Sequence, residues 1–379
     1  ASDVYKRQMN KYIKYMTIPV LALIFASCAD TDGNGEGEFV WEGSENPENT
    51  SYRNPVWEPS LAGGTVLKGA SNFAAVSQET QWAAGLNYAC PSLQSSDLMS
   101  WSSNQTAFTY REFTGETDPE TGEPIVTGSY PDWITGRITN VSADFARTIN
   151  GANYWMVYTT DEDNAFGAAS ASSGMGPYND MGKFLDAATL GVTELKYPHL
   201  SVLQSVNYYL GYSTENGSYI QQLNLRRGNA PTLRGAATQV AGPEFKNICL
   251  FRGGNSEFYL LGTVTAADGT SEIRYGKASK VTGPYLDRNG VALTDGASNG
   301  EILVQGGEEF ESPCNPMHVF QSENGFCYVA YNATEISKRE MPSGFARQPL
   351  FINPVQMDEE GWFTSTIVPM KGWTTPKYQ

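Results

Sequence analysis

Histidine is almost absent from this 379-residue chain, occurring only at His199 and His318. Cysteine occurs five times, with no CxxC pair and no Cys/His cluster at metal-ligand spacing. A zinc site and any other metal or cofactor centre of that kind are therefore not expected. Basic residues are also few, 25 Lys and Arg against 41 Asp and Glu, for a net charge of −16. Nucleic acid and anionic membrane surfaces both demand basic patches, so neither is expected as a partner. No apolar run approaches the ~20 residues needed to span a bilayer. The longest near the start, residues 18–25, is too short and sits in a different context.

That context is an export signal. It begins at Met9, with Asn10, Lys11 and Lys14 as a basic n-region and residues 18–25 as the apolar h-region. Phe25-Ala26-Ser27-Cys28 reads as a lipobox, so residues 9–27 are expected to be removed and Cys28 lipidated. Residues 1–8 read as a translated leader foreign to the natural chain. Residues 28–51 open on Gly and acidic residues and are expected to be a flexible tether. An acidic run directly behind the lipidated Cys resembles the surface-export signal of Bacteroidetes lipoproteins. The resemblance implies an outer-membrane lipoprotein at the cell surface, with a plain periplasm-facing linker as the alternative.

Aromatic residues, by contrast, make up 12% of the chain and recur in a pattern. YWMVYTT (154–160) returns as YYLGYST (208–214), FYLLGTV (258–264) and CYVAYNA (327–333), with a fainter NFAAVSQ at 72–78. Each is a seven-residue apolar run bounded by turn formers, which predicts a buried strand and not a helix. Five copies roughly 50–80 residues apart predict one supersecondary unit repeated five times. A second repeat agrees: GPYNDMG (176–182) and GPYLDRNG (283–290) each follow a strand rich in small residues. Those small residues are expected where sheets crowd towards an axis. Four-stranded units that cannot bury their faces alone predict an all-β, five-bladed β-propeller over residues 52–379. Closure is expected from a segment near the N-terminus pairing into the last blade. Residues 114–128, rich in Pro, Gly, Thr and Glu, are expected to form an exposed loop between blades one and two. Cys249 and Cys327 lie in apolar strands and are expected as buried free thiols; Cys90 and Cys314 remain open.

Several segments, in this order and spacing, resemble glycoside hydrolase family 43, the five-bladed inverting arabinosidases and xylosidases. They include NPVWEPSLAGGTVL (54–67), PSLQSSDLMSW (91–101) and YPHLSVLQSVNYYLGYS (197–213). AGPEFKNICLF (241–251), the two GPY turns and RQPLFINPVQMDEEGW (347–362) complete the match. The resemblance implies that chemistry sits at the lead-ins to the inner strands. It also implies that the base falls at Gly63, the acid-tuning Asp at Tyr197, the acid at Ala241 and the axial His at Asn315. None of these residues can act as the missing carboxylate. Among other acids near the lead-ins, Glu58, Asp97, Asp144, Glu244 and Glu311, the best substitute is Glu244. Its odd offset from Ala241 would nevertheless turn it to the opposite strand face.

Trp82, Tyr88 and Trp133 fall beside the repeated strands and, with Tyr197, are candidates to line a funnel mouth; the alternative is packing onto blade ends. His199 and Asn315 join them as candidate substrate-binding residues. Trp155, Tyr158, Tyr208, Tyr209 and Tyr259 are expected in the core, and Trp101, Trp362 and Trp373 in packing. The expectation is a monomeric, lipid-anchored propeller that binds a pentose polysaccharide without hydrolysing it. The alternatives are an active hydrolase with relocated carboxylates, or a structural or adhesive lipoprotein.

Overall fold

A computed structural model describes residues 50–379, apart from 83–84, 149–150, 204–206 and 297–299. The expected leader, signal and Cys28 lie outside the described residues, as does the tether up to residue 49. Thr50 and Ser51 already belong to the fold: Ser51 is buried, and the Thr50 carbonyl accepts from Lys377 N at 2.9 Å.

Five antiparallel sheets follow one another along the chain. Blade one is β2 (Thr65–Lys68), β3 (Phe73–Val76), β4 (Pro91–Ser95) and β5 (Ser102–Thr106). Blade two is β8 (Ile138–Thr148), β9 (Gly151–Thr160), β10 (Ala165–Ala171) and β11 (Asn179–Asp186). Blade three is β12 (Lys196–Leu203), β13 (Asn207–Thr214), β14 (Gly217–Arg226) and β15 (Asn229–Ala241). Blade four is β16 (Phe245–Arg252), β17 (Phe258–Thr265), β18 (Ser271–Ala278) and β19 (Glu301–Val304). Blade five is β20 (Phe310–Gln321), β21 (Phe326–Glu335) and β22 (Leu350–Gln356). Among the described residues the one helix is the short α1 (Ala187–Leu190).

All five aromatic copies are second strands, and the packing explains why they read as unbroken apolar runs. A second strand has a neighbouring blade on each face. In β9, Tyr154, Met156 and Tyr158 pack towards blade one while Trp155 and Val157 pack towards blade three. In β21, Tyr328 and Ala330 face blade one while Val329 and Tyr331 face blade four. With both faces buried, the polar half of the usual strand alternation disappears. Five apolar clusters result, one between each pair of adjacent blades, and the pair five–one closes the ring.

Near the axis the inner strands are joined by side chains. Thr65 Oγ1 accepts from Ala143 N at 3.4 Å, and Ser142 Oγ accepts from Leu200 N at 2.9 Å. Ser201 Oγ donates to the Leu250 carbonyl at 3.5 Å, and Asn247 Nδ2 to Asn315 Oδ1 at 2.9 Å. Asn315 Nδ2 then donates to the Gly64 carbonyl at 3.0 Å and completes the circle. The N-terminal segment supplies closure as expected. Val56 N donates to the Leu350 carbonyl and Leu350 N to the Trp57 carbonyl, while the Asn54 amide both donates to and accepts from Ile352. Ahead of it, β1 (Tyr52–Asn54) pairs with β23 (Gly372–Thr374).

Three expectations are corrected. The 114–128 segment is an exposed hairpin, β6 (Glu112–Thr117) with β7 (Pro124–Thr127), because a Thr-rich run and an Asp118–Gly122 turn pair well without a core. The small residues of β10 stand third from the axis, not beside it; they make room for rings. A Cβ at Gly167 would lie 2.3 Å from Tyr158 and 2.6 Å from Trp133. Trp373 is 48% exposed beneath Arg53, whereas Trp101 and Trp362 are buried. The two GPY turns do share one geometry: Tyr178 Oη donates to the Gly174 carbonyl and Tyr285 Oη to that of Val281, each four residues back. Cys90, Cys249, Cys314 and Cys327 are all free, and Cys249 and Cys327 are buried as expected.

Candidate functional site at the inner-strand lead-ins

The chain enters four of its inner strands through a left-handed residue: Gly63 at φ 54°, Tyr197 at 55°, Asn247 at 50° and Asn315 at 51°. Three of them coincide with breaks in ladder register, at 196/199, 246/249 and 314/318. Such a bulge ends the regular ladder and re-aims a side chain at a barrel or propeller rim. These four positions are therefore structural equivalents around the axis.

Ala241 is not among them. It ends the outermost strand of blade three, pairs with Ser218 and is fully buried beside Phe245 and Ile248. The equivalent position in blade four is Asn247, six residues on. The AGP motif lies on the other side of the crossover between blades, so Ala241, expected at the blade-four lead-in, is not there; Asn247 is.

At Gly63 a side chain has no space. A Cβ would lie 2.0 Å from the Thr139 carbonyl oxygen and 2.6 Å from Gln78 Oε1. The Gly63 carbonyl is meanwhile tied to Val141 N at 2.8 Å. From there a neutral amide chain runs across the axis. Asn315 Nδ2 also donates to Asn332 Oδ1 at 2.9 Å, and Asn332 Nδ2 donates to the Gln348 and Pro349 carbonyls at 3.0 Å each. Tyr197 is partly exposed, and burial, followed by the nearby Glu194 charge, pushes its phenol pKa up. Beside it Lys246 Nζ lies 3.7 Å from Glu194.

The candidate carboxylates are dispersed. Glu58 pairs with Lys371 at 3.2 Å and with the buried Arg347 at 3.8 Å; Glu311 pairs with Arg339 at 2.8 Å. Asp97 accepts from Met99 N and Ser100 N in a turn after β4, at the opposite end of blade one from the lead-ins. Glu244 folds back over Gly242, and its buried Oε1 has no hydrogen-bond partner among the described residues. The carboxylate beside Gln78 is Glu79, which carries no motif in the sequence. It accepts from Tyr110 Oη at 2.6 Å, Tyr130 Oη at 2.5 Å and Ile138 N at 3.4 Å. Its position three residues beyond β3 was the available signal, since loops after second strands return to the lead-in end.

Asp144 lies on the axial side of β8. Oδ1 accepts from Phe145 N at 2.7 Å and Oδ2 from Val202 N at 2.8 Å, so it ties blade two to blade three. Burial raises its pKa to about 7 against the lowering effect of both N–H groups. The folded state thus holds a proton that the unfolded chain loses near the ordinary carboxylate value of 3.8. This contribution is complete below that value and is lost as pH rises towards 7. Within that window, one proton held only by the folded state changes stability by about 1.4 kcal/mol for each step of one in pH. Urea unfolding between pH 4 and 8 is expected to show a shallower loss of stability for Asp144→Asn than for the natural chain; parallel curves would refute the assignment.

Among the aromatic candidates, Trp82 is buried, with Nε1 donating to the Ser60 carbonyl and its ring between Trp57 and Tyr88. Trp133 packs on Tyr158, donating to its Oη at 2.9 Å, with its ring against Gly167 in the third strand of blade two and so off the axis. Both are corrected from funnel lining to packing, because each Trp N–H finds an internal acceptor. Tyr88 stays partly exposed over Trp82. His199 is a buried side chain of β12, and burial, then the nearby His318, lowers its pKa to about 3. Asn315 is at the lead-in floor, engaged in the amide chain described above. Among the described residues no three His, Cys, Asp or Glu side chains converge as metal ligands, and no helix is long and apolar enough to cross a membrane.

No protein-family model matches the chain. It is 24% identical over 264 residues to the extracellular endo-α-(1→5)-L-arabinanase 1 of Bacillus subtilis, spanning 66% of this chain and 74% of that one. The α-L-arabinanase of Cellvibrio cellulosa, solved with arabinohexaose, superposes with a TM-score of 0.60 at 16% identity, over 81% of this chain and 95% of that one. An exo-1,5-α-L-arabinanase from a bovine ruminal metagenomic library gives 0.57 at 17% identity, over 82% and 97%. The fold is the arabinanase-type five-bladed propeller. Within this propeller the four left-handed lead-in residues are Gly63, Tyr197, Asn247 and Asn315, all uncharged.

Proposed function

We propose that the protein is a lipid-anchored surface protein whose propeller binds a pentose polysaccharide, arabinan-like or xylan-like, without hydrolysing it. One observation carries the reading: the lead-in position expected to hold the base is a glycine with no room for a side chain. An inverting glycosidase needs two carboxyl groups about 6.5–9.5 Å apart, one activating water and one protonating the leaving oxygen. Tyr197 and Asn247 offer a hydroxyl and an amide instead. Those groups suit the hydroxyls of a neutral sugar, and the Tyr197 ring adds a face for its C–H surface. The similarity to arabinanases supports an arabinose-based chain as ligand, and the sequence resemblance to arabinosidases and xylosidases extends the reading to xylan-like chains.

Calorimetric titration with arabino- and xylo-oligosaccharides tests the reading. Weak, salt-insensitive binding is expected, reduced about tenfold or more by Tyr197→Ala, since that step removes a stacking contact. Binding unaffected by Tyr197→Ala would place the ligand elsewhere, and no binding to any glycan would favour a structural or adhesive role. The anchor is tested separately. Metabolic labelling with a fatty acid should mark the natural chain and not Cys28→Ala; label retained in the variant would overturn lipidation at Cys28.

A further inference from the structure

A cavity of about 440 Å3 lies at the end of the axis away from the lead-ins, lined by residues of all five inner strands. Its volume falls in the range of small-molecule sites. Two cations line it, Lys68 at the end of β2 and Arg252 at the end of β16. Among the described residues neither is ion-paired. Lys68 Nζ donates to Tyr378 Oη at 3.2 Å, and the Arg252 guanidinium lies 5.8 Å from the Phe258 ring. The carboxylate in the wall, Asp144, has both oxygens occupied by backbone N–H groups and offers neither cation a dedicated partner.

Such an arrangement is unexpected in a chain of net charge −16, where carboxylates are abundant. Unpaired cations that share one concave surface mark an anion-binding surface. We propose that this cavity binds a small sugar carrying one carboxylate, of the uronic acid class. Lys68 and Arg252 take the carboxylate, while Ser201, Gln321 and the Tyr378 phenol meet the ring hydroxyls. The charges favour a monoanion over a phosphate dianion. Two cations set against one wall carboxylate leave a single positive charge to neutralise. The neighbouring His318 adds none, because burial and then Lys68 hold its pKa down to about 4.

The test uses the full chain at low salt and pH 8, where Asp144 carries its charge. Glucuronate, xylose and inorganic phosphate are titrated in turn, followed by calorimetry and amide chemical shifts. Saturable glucuronate binding is expected, weakened about tenfold or more by Lys68→Met and by Arg252→Met, and unchanged by Tyr197→Ala. Xylose should give no saturation over the same range, and phosphate should bind more weakly than glucuronate. Thermal melts establish that the variants are folded, with Lys68→Gln as a milder substitute at an exposed position. Xylose binding as well as glucuronate, or phosphate binding better, would overturn the uronate assignment. Glucuronate binding that survives loss of both cations would overturn the site itself. Because Tyr197 lies at the other end of the axis, failure here and failure of pentose-glycan binding at the lead-ins are read independently.

Discussion

A Gly63→Asp variant is expected to show no arabinosidase or xylosidase turnover and to be less stable than the natural chain. Restoring a carboxylate is the natural rescue for a site that lacks one. Here the backbone forbids it. Gly63 sits at φ 54°, a conformation that Tyr197, Asn247 and Asn315 share, so the obstacle is space and not φ. A Cβ at Gly63 would press within 2.0 Å of the Thr139 carbonyl, which is backbone and cannot rotate away. General acid and general base catalysis each contribute roughly 10²–10⁴ in rate, so a site lacking both is expected to fall short by several orders of magnitude. Release of reducing sugar from aryl arabinofuranosides, aryl xylosides, arabinan and xylan measures this for both proteins. Turnover in the natural chain that Glu79→Gln or Glu244→Gln abolishes would restore the hydrolase and sink the non-hydrolytic reading.

Replacing Arg347 with Met is expected to destabilise the propeller by about 3 kcal/mol, near the lower end of what breaking a buried ion pair costs. Arg347 is 4% exposed and pairs through Nη1 with Glu335 and through Nη2 with Glu58. It stands just before β22, where blade five meets the N-terminal segment that closes the ring. Loss of the cation leaves Glu335, largely buried, without its partner. Glu58 is a third exposed and paired with Lys371, so it adds little. The double variant Glu335→Gln/Arg347→Met should recover part of the loss in urea melts, as coupled partners do. A double variant as unstable as the sum of the two singles would show that the pair is not the source of the effect.

Much of the fold was legible because each blade repeats the same local chemistry. The second strands announce themselves in YWMVYTT and its four copies, since a strand buried on both faces must be apolar throughout. The shared geometry of Tyr178 and Tyr285 shows that a short motif can specify its turn unaided. The 114–128 hairpin was less legible, because an exposed strand pair needs no apolar pattern.

The site was legible only in part. Gly63, Tyr197 and Asn315 were found because their flanking residues keep a recognisable order. The motif at Ala241 points away from Asn247, because a Gly-Pro pair marks the crossover between blades as readily as it marks a lead-in. Glu79 carries no motif at all; Tyr110 and Tyr130, both from other segments, define its surroundings. Whether Trp82 and Trp133 line a funnel mouth or pack onto blade ends stays open in the sequence, because a sequence does not reveal whether an indole N–H has found an internal acceptor.

By itself the sequence determined the class, the blade number and the position of the closing segment, since these follow from periodicity that each unit carries within its own residues. The tertiary structure alone decided which side chains share the axis. That depends on five inner strands arriving from distant parts of the chain, each through its own bulge. It placed the Thr139 carbonyl against Gly63, joined Asn247 to Asn315, and brought Lys68 and Arg252 to one cavity. No local pattern encodes those meetings, because their partners lie a blade or more away in sequence and are neighbours only once the ring has closed.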